Sequence, residues 1–131
     1  MVKKLKGQFE YYTTTKGFYN YRLKSSNNET IAVSGGTGYS SLSACKAGIE
    51  SVRKNANVHI EDQTLRKVEE LPNPKYEIYL DKADKYRYRL RARNGELIAV
   101  SEEGYASKDG CKKGIESLIK WSKTAEIVKA E

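Results

Sequence analysis

The sequence predicts an α+β fold made of two tandem copies of one β-β-β-α-β unit. Three observations carry this expectation. The first is an internal duplication: Ile31-Ala-Val-Ser34 returns as Ile98-Ala-Val-Ser101, Gly38-Tyr39 as Gly104-Tyr105, and Gly48-Ile-Glu-Ser51 as Gly114-Ile-Glu-Ser117. The second is period-two alternation ahead of that stretch, clearest where Tyr86, Tyr88, Leu90 and Ala92 interleave with Arg87, Arg89, Arg91 and Arg93, the pattern of a strand with one buried face. The third is a helical stripe. Cys45, Gly48, Ile49 and Val52 fall at i, i+3, i+4 and i+7, and so do Cys111, Gly114, Ile115 and Leu118, which places each set on one helix face.

The duplication divides residues 1–131, read as a single pseudo-symmetric domain, into repeat one at 9–61, a linker at 62–75 and repeat two at 76–128. Phe9 and Tyr76 open the repeats 67 positions apart. Past Ser34 and Ser101 repeat one has one extra residue, Gly-Gly-Thr against Glu-Glu, and from Gly38 and Gly104 the offset is 66. A long period present only twice is not a solenoid; it implies two units that complete one core.

The first strand of each unit puts Phe9, Tyr11, Tyr76 and Ile78 on the buried face, with Glu10, Tyr12, Glu77 and Tyr79 opposite. Turns follow at Thr15-Lys-Gly17 and Asp81-Lys-Ala-Asp84. The second strand buries Tyr19, Tyr21 and Leu23 in repeat one and shows Asn20, Arg22 and Lys24 outward. Asn94-Gly95 signals a hairpin, and Asn27-Asn28 can take the same positive-φ geometry. In the third strand Thr30, Ala32 and Ser34 form the weak row, so Ile31, Val33, Ile98 and Val100 are expected to face the core. Ser41 and Ser107 are expected helix N-caps. A glycine inside a helix costs about 1 kcal/mol against alanine; finding one on each buried stripe, Gly48 and Gly114, implies a close approach. Val58 to Ile60 and Ala125 to Ile127 suggest a fourth strand. Thr64–Leu71 suggests a helical turn or two within the linker, ended by Pro72 and Pro74.

Tyr76-Glu-Ile-Tyr79, Tyr88-Arg-Leu90, Asn94-Gly95, Ile98-Ala-Val-Ser101, Glu103-Gly-Tyr105 and Gly114-Ile-Glu-Ser117 together resemble the repeat of the YegP-like family, small prokaryotic proteins known as a domain of unknown function. The resemblance covers both repeats. It implies one antiparallel sheet with two helices packed on it and final strands swapped between the units. Repeat one departs from the motif at Asn28 and in the Gly-Gly-Thr loop. The family supplies no catalytic residue.

Composition narrows the function without naming it. The net charge is +7 and the pI about 9.3, compatible with nucleic acid, an anionic surface or an acidic partner. The excess is shared: 9 basic against 5 acidic residues up to Leu65, 15 against 12 beyond it. No apolar run approaches the ~20 residues of a membrane span, and the basic N-terminus has no apolar segment behind it, so the expected location is the cytoplasm, with no membrane partner. Cys45 and Cys111 are too few for a disulfide framework and have no C-x-x-C spacing. His59, the only histidine, has no copy in repeat two. Glu50 and Glu116 are paired by the repeat and are expected in solvent. No phosphate-binding loop, nucleophile elbow or dinucleotide fingerprint is present. The expectation is a protein that is not an enzyme, with no cofactor and no metal, acting as a binding or protein-interaction module. Duplication already provides a second unit, so a monomer is expected.

Two candidate surfaces follow. One is the Gly-Tyr loops, Gly38-Tyr39 and Gly104-Tyr105, as interaction anchors, together with the outer sheet edges, where a partner can add a strand. The other is a sheet face carrying Tyr12, Arg22, Lys24, Tyr79, Arg87, Arg89 and Arg91, where aromatics can stack bases and arginines hold phosphates of a single-stranded nucleic acid. Against the second stands a plainer role for the same residues: Glu10 and Glu77 lie on that face, and cross-strand ion pairs and cation–π contacts use the same side chains.

Overall fold

The computed structural model describes residues 6–36 and 38–130. Repeat one provides β1 (Gln8–Thr13), β2 (Tyr19–Lys24), β3 (Thr30–Val33), α1 (Leu42–Asn55) and β4 (Ile60–Asp62). Repeat two provides β5 (Lys75–Leu80), β6 (Tyr86–Arg91), β7 (Leu97–Ser101), α2 (Lys108–Ser122) and β8 (Glu126–Lys129). The β-β-β-α-β order is as expected. All eight strands form one sheet in the order β4-β5-β6-β7-β3-β2-β1-β8, so each repeat hands its last strand to the other. The exchange implied by the family resemblance is present.

One part of the expected sheet needs correcting. The six central strands are antiparallel, but β4 pairs parallel to β5 and β8 parallel to β1. No hairpin joins either pair. Residues 63–74 run between β4 and β5, long enough to bring the chain back for a parallel pairing.

The phase of the third strands also differs. Leu23 is opposite Ala32 and Lys24 is opposite Thr30, so Ile31 is an extra residue; in the same way Ile98 is extra between Leu97 and Ala99. Such a bulge breaks the alternation. Ala32 and Ala99 therefore share the helix side with Leu23 and Leu90, while Val33 and Val100 pair with Arg22 and Arg89 on the opposite face. Ile31 and Ile98 are buried as expected; Val33 and Val100 are half-buried on the arginine side. The carbonyl of each extra residue accepts a hydrogen bond from the other repeat: the Tyr88 hydroxyl donates to Ile31 O at 2.9 Å, and the Tyr21 hydroxyl donates to Ile98 O. A backbone oxygen displaced from its ladder is thus satisfied across the pseudo-twofold axis.

The core lies between the sheet and the helices. Phe9, Tyr21, Leu23, Tyr76, Ile78, Tyr88 and Leu90 meet Cys45, Ile49, Val52, Cys111, Ile115 and Leu118 there. Tyr11 shares this side but is only half-buried, because it sits near the sheet edge. Both helices begin at the expected caps: Ser41 Oγ accepts from Ala44 N–H at 3.1 Å and Ser107 Oγ from Gly110 N–H at 3.0 Å. Asn28 and Gly95 occupy equivalent hairpin positions at φ 68° and 86°. Helix α2 is one residue longer than α1, so the offset lost in the Gly-Gly-Thr loop is recovered and Ile60 and Ile127 face Tyr76 and Phe9 in matching register. The fourth strands start there, one or two residues later than the sequence suggests. Thr64–Leu71 is not helical: a turn and bends cover residues 64–67, and residues 68–71 have no regular structure. Asp62 Oδ1 captures the Thr64 N–H at 3.0 Å, an Asx-turn that diverts the backbone from a helix.

Candidate functional site on the open face of the sheet

With both helices on one side, the other face of the sheet carries the arginine rows, and the structure brings the predicted residues there together in two clusters. In repeat one, Glu10 is directly opposite Arg22. Its Oε1 accepts from Arg22 Nε at 2.9 Å and lies 3.3 Å from Lys24 Nζ. The Arg22 guanidinium lies over the Tyr12 ring, 4.8 Å from its centre. In repeat two, Glu77 Oε1 accepts from Arg89 Nε at 2.6 Å and from Arg91 Nε at 2.8 Å, and Arg89 covers the Tyr79 ring at 4.3 Å. Arg87 donates to Asp81 Oδ2 at 2.7 Å. Each of these five cations already holds a carboxylate. Burial pushes the Glu10 and Glu77 carboxyls up, but hydrogen bonds from their cations outweigh it and both are held below the ordinary range.

The two clusters are not equivalent. Glu61 on β4 is opposite Glu77 and shares its face. It accepts from Lys75 Nζ at 2.7 Å, from Gln63 Nε2 at 2.6 Å and from the Leu71 N–H at 2.7 Å. The linker therefore lies against this end of the open face, and Glu61, Lys75 and Glu77 are all buried, at 3%, 7% and 5% exposure. Burial raises the Glu61 pKa, but the three donors more than offset this and hold it down at about 2. Repeat one has Val128 in place of Glu61 and Gln8 in place of Lys75, so Glu10 serves only two cations and stays half-buried.

A second difference lies at the end of each cluster. In repeat one, Tyr11, Tyr12, Tyr19, Arg22, Leu42 and Lys129 line an open corner of about 500 Å³. In repeat two the chain itself occupies the equivalent positions on both sides of the sheet, Asp62 on the helix side opposite Ile78 and Gln63 on the arginine side. Lys108, equivalent to Leu42, bonds Asp62 Oδ2 at 2.8 Å and lies over the Tyr86 ring; Gln63 Oε1 accepts from Arg89 Nη2 at 3.2 Å. Asp62 and Gln63 correspond to Lys129 and Ala130 in the pairing with β5 and β1.

The Gly-Tyr loops are structural. Tyr39 and Tyr105 bridge to Tyr19 and Tyr86 by paired backbone hydrogen bonds of 2.7 to 2.8 Å. Their rings turn inward and stack on Tyr21 and Tyr88, at 5.9 and 6.3 Å between centres. Gly48 and Gly114 are glycine because a Cβ there would stand 2.7 and 2.8 Å from the Cζ atoms of Tyr39 and Tyr105. This is the close approach expected of the helix glycines, made by a tyrosine. Gly38 and Gly104 pack instead against Phe18 and Lys85. Tyr39 and Tyr105 are half-buried, and burial raises their pKa values.

Cys45 and Cys111 are fully buried, and burial pushes their thiols up, that of Cys111 to about 11. His59 is exposed and its Nε2 meets the Pro72 carbonyl at 2.8 Å. Glu50 and Glu116 face solvent, Glu50 beside Arg53 at 3.0 Å. Among the described residues no helix is long and apolar enough to cross a membrane. The residues that distinguish the two corners, Glu61, Asp62, Lys75, Leu42 and Lys129, were not singled out in the sequence. Their signal was present as mismatches between the copies, Glu61 against Val128 and Asp62 against Lys129, but a mismatch gains meaning only once both positions are known to reach the same face.

Known proteins similar to this chain carry the same repeats. A profile described as "Domain of unknown function (DUF1508)" matches residues 15–62 and 81–128, once in each repeat. A UPF0339 protein of Stutzerimonas stutzeri, from the ptx operon 5′ region, is 33% identical over 124 residues, 95% of this chain and 96% of the relative. A UPF0339 protein of Methanosarcina acetivorans is 54% identical over 57 residues, 44% of this chain but 97% of the relative, so a single repeat accounts for nearly all of that protein. The solution NMR structure of the E. coli protein of unknown function yegP matches with a TM-score of 0.75 at 26% identity, covering 98% of this chain and 96% of that one.

Proposed function

The chain belongs to the DUF1508 family of domains of unknown function, and we propose that it is a non-catalytic protein-interaction module whose docking surface is the outer edge of β8. The observation that carries this reading is an unpaired strand edge. Among the described residues β8 has one neighbour, β1. The Glu126 and Ala130 N–H groups donate inward, to Gly7 O at 3.3 Å and Tyr11 O at 2.9 Å. By the period-two alternation of a strand, the main-chain groups of Ile127 and Lys129 point away from the sheet. Such a row accepts an added strand. The opposite edge, β4, is shorter, with three residues, and short edges are poor templates. The burial of both cysteines and the isolation of His59 support a non-catalytic reading.

Single-stranded nucleic-acid binding through Tyr12, Arg22, Lys24, Tyr79, Arg87, Arg89 and Arg91 is the weaker reading. A phosphate would have to displace carboxylates already bonded to these cations, and guanidinium groups already cover the Tyr12 and Tyr79 rings. Labelled single-stranded RNA and DNA are expected to keep their mobility at low salt.

The deciding experiment is co-purification from a native lysate, with wild type and Lys129→Pro in parallel. Proline at an outward-facing edge position removes a donor only the partner would use. The expected result is one stoichiometric protein with wild type, lost with the variant, whose melting temperature stays within about 3 °C. A partner retained by the variant, or nucleic acid recovered in place of protein, sinks the edge reading.

A further inference from the structure

We propose that the cleft between α2 and the β2–β3 hairpin is a binding site for a neutral, polyhydroxylated ligand the size of one sugar ring. No residue of β8 lines this cleft, so the inference goes beyond the edge reading and stands or falls separately from it.

Both repeats build the cleft. Repeat one supplies Ser25, Ser26, Asn27, Glu29 and Thr30, and repeat two supplies Tyr105, Ser117 and Trp121. The volume is about 230 Å³, below the range that holds a drug-sized ligand, so the occupant is small. Among the described residues the Ser26, Thr30, Ser117 and Tyr105 hydroxyls and the Glu29 carboxylate have no protein hydrogen-bond partner. Ser25 Oγ donates to Asn27 Oδ1, which leaves the Asn27 amide nitrogen as a donor. Burial raises the pKa of the Tyr105 hydroxyl, and the nearby Glu29 and Glu103 carboxylates add to this, so the group keeps its proton and can donate. Glu29 is the one charged residue in the wall, and the Trp121 indole gives it an apolar surface. An anion meets no counter-charge there. The hydroxyls of a sugar suit the wall because each can donate and accept at once.

The molecule's other copy shows that the fold does not impose this chemistry. At the equivalent positions beside α1, Ala92, Arg93 and Leu97 replace Ser25, Ser26 and Thr30, and Asn55 replaces Trp121. Polar groups that remain there are turned on one another. Asn55 Nδ2 donates to Ser51 O at 2.9 Å and to Ser51 Oγ at 3.2 Å, and the Tyr39 hydroxyl lies 3.4 Å from that of Tyr21. The Tyr88 hydroxyl, by contrast, is committed to Ile31 O at 2.9 Å, which leaves its neighbour Tyr105 free for a ligand. Of the two clefts, the one beside α2 alone combines free hydroxyls with an aromatic wall.

Trp121 is the only tryptophan in the chain, so its fluorescence reads the cleft directly. The full chain is titrated with glucose, galactose, mannose and N-acetylglucosamine, and with choline as a cationic comparison. At least one sugar is expected to give a saturable change with a Kd of about 1 mM, the strength a dozen or so non-hydrogen atoms supply. Glu29→Gln and Tyr105→Phe should each weaken that binding about fivefold or more. Glu29 is exposed, so its variant keeps the test valid if Tyr105→Phe impairs folding. Glu96→Gln, at the position equivalent to Glu29 in the other cleft, should leave the affinity unchanged. No saturable change with any of the four sugars up to about 100 mM overturns the proposal. A response that survives both Glu29→Gln and Tyr105→Phe puts the sugar elsewhere and overturns the site. Choline binding as tightly as the best sugar overturns the neutral ligand, since a cation at Glu29 would then suffice.

Discussion

The helix side of this molecule is nearly the same in its two repeats, and the open side is not. Beneath α1 and α2 the same tyrosine pairs stack, the same glycines clear them, and the same hydroxyls cross the pseudo-twofold axis to Ile31 and Ile98. On the open face, Glu77 and Glu61 are buried beneath the linker with Lys75, whereas Glu10 is half-buried beside Val128 and Gln8. The contrast teaches where duplication constrains a sequence. The helix side is one shared core, so a change in either copy disturbs atoms of both. Each corner lies at one edge of the sheet, so a change in one need not disturb the other.

The largest expected difference tests that contrast directly. Glu77→Gln leaves Arg89 and Arg91 without their carboxylate, and Lys75 with Glu61 alone, in a largely buried setting and should cost about 3 kcal/mol in urea unfolding. Glu10→Gln, at the more open copy, should cost about 1 kcal/mol or less. Equal losses would break the claim that the linker sets the two faces apart.

Acid titration sharpens the same point. The Glu61 carboxyl titrates near 2 in the folded chain against an ordinary 4.5. Because the folded value is the lower one, its stabilisation is complete above about pH 4.5 and is lost as the pH falls towards 2. The shift corresponds to about 3 kcal/mol. Urea midpoints measured from pH 6 to pH 2 should flatten in Glu61→Gln. They should not steepen in Val128→Glu, because repeat one has neither a lysine at Gln8 nor a linker N–H above it.

Two smaller effects should be equal in the two repeats. Gly48→Ala and Gly114→Ala gain about 1 kcal/mol of helix propensity. Each also drives a Cβ into a stacked tyrosine, and overpacking of that kind costs about 1 to 3 kcal/mol. Both variants should therefore lose about 1 kcal/mol net, by matching amounts, in thermal unfolding. Ser41→Ala and Ser107→Ala each remove one cap bond and should each cost about 1 kcal/mol. A strong asymmetry within either pair would show that the helix side is less symmetric than its geometry.

Much of the fold was legible in the residues. Comparison of the copies gave the strand and helix order, the N-caps, the buried stripe and the positive-φ turns, because each rests on local backbone chemistry repeated twice. The phase of β3 and β7 was not legible. Ile31-Ala-Val and Ile98-Ala-Val alternate cleanly as text, and only pairing against Leu23 and Leu90 reveals the extra residue. The linker was not legible for a similar reason. Thr64–Leu71 has helix-compatible residues, but Asp62 and Glu61 bind its backbone in place of a helical ladder.

The candidate surfaces divide in the same way. Tyr12, Arg22, Lys24, Tyr79, Arg87, Arg89 and Arg91 do share one face, as alternation required. That each cation there already holds a carboxylate depended on cross-strand register, and so did the inward turn of Tyr39 and Tyr105. By itself the sequence determined a duplicated α+β unit with one face cationic and one face apolar, since period and propensity act between near neighbours. Only the tertiary structure decided that the stretch Asn94–Leu118 and its copy serve mainly to pack a shared core, and that the two open corners differ. Those outcomes depend on contacts between residues far apart in the sequence, such as Tyr21 with Ile98, Tyr88 with Ile31 or Lys108 with Asp62, where swapped strands set what each side chain meets.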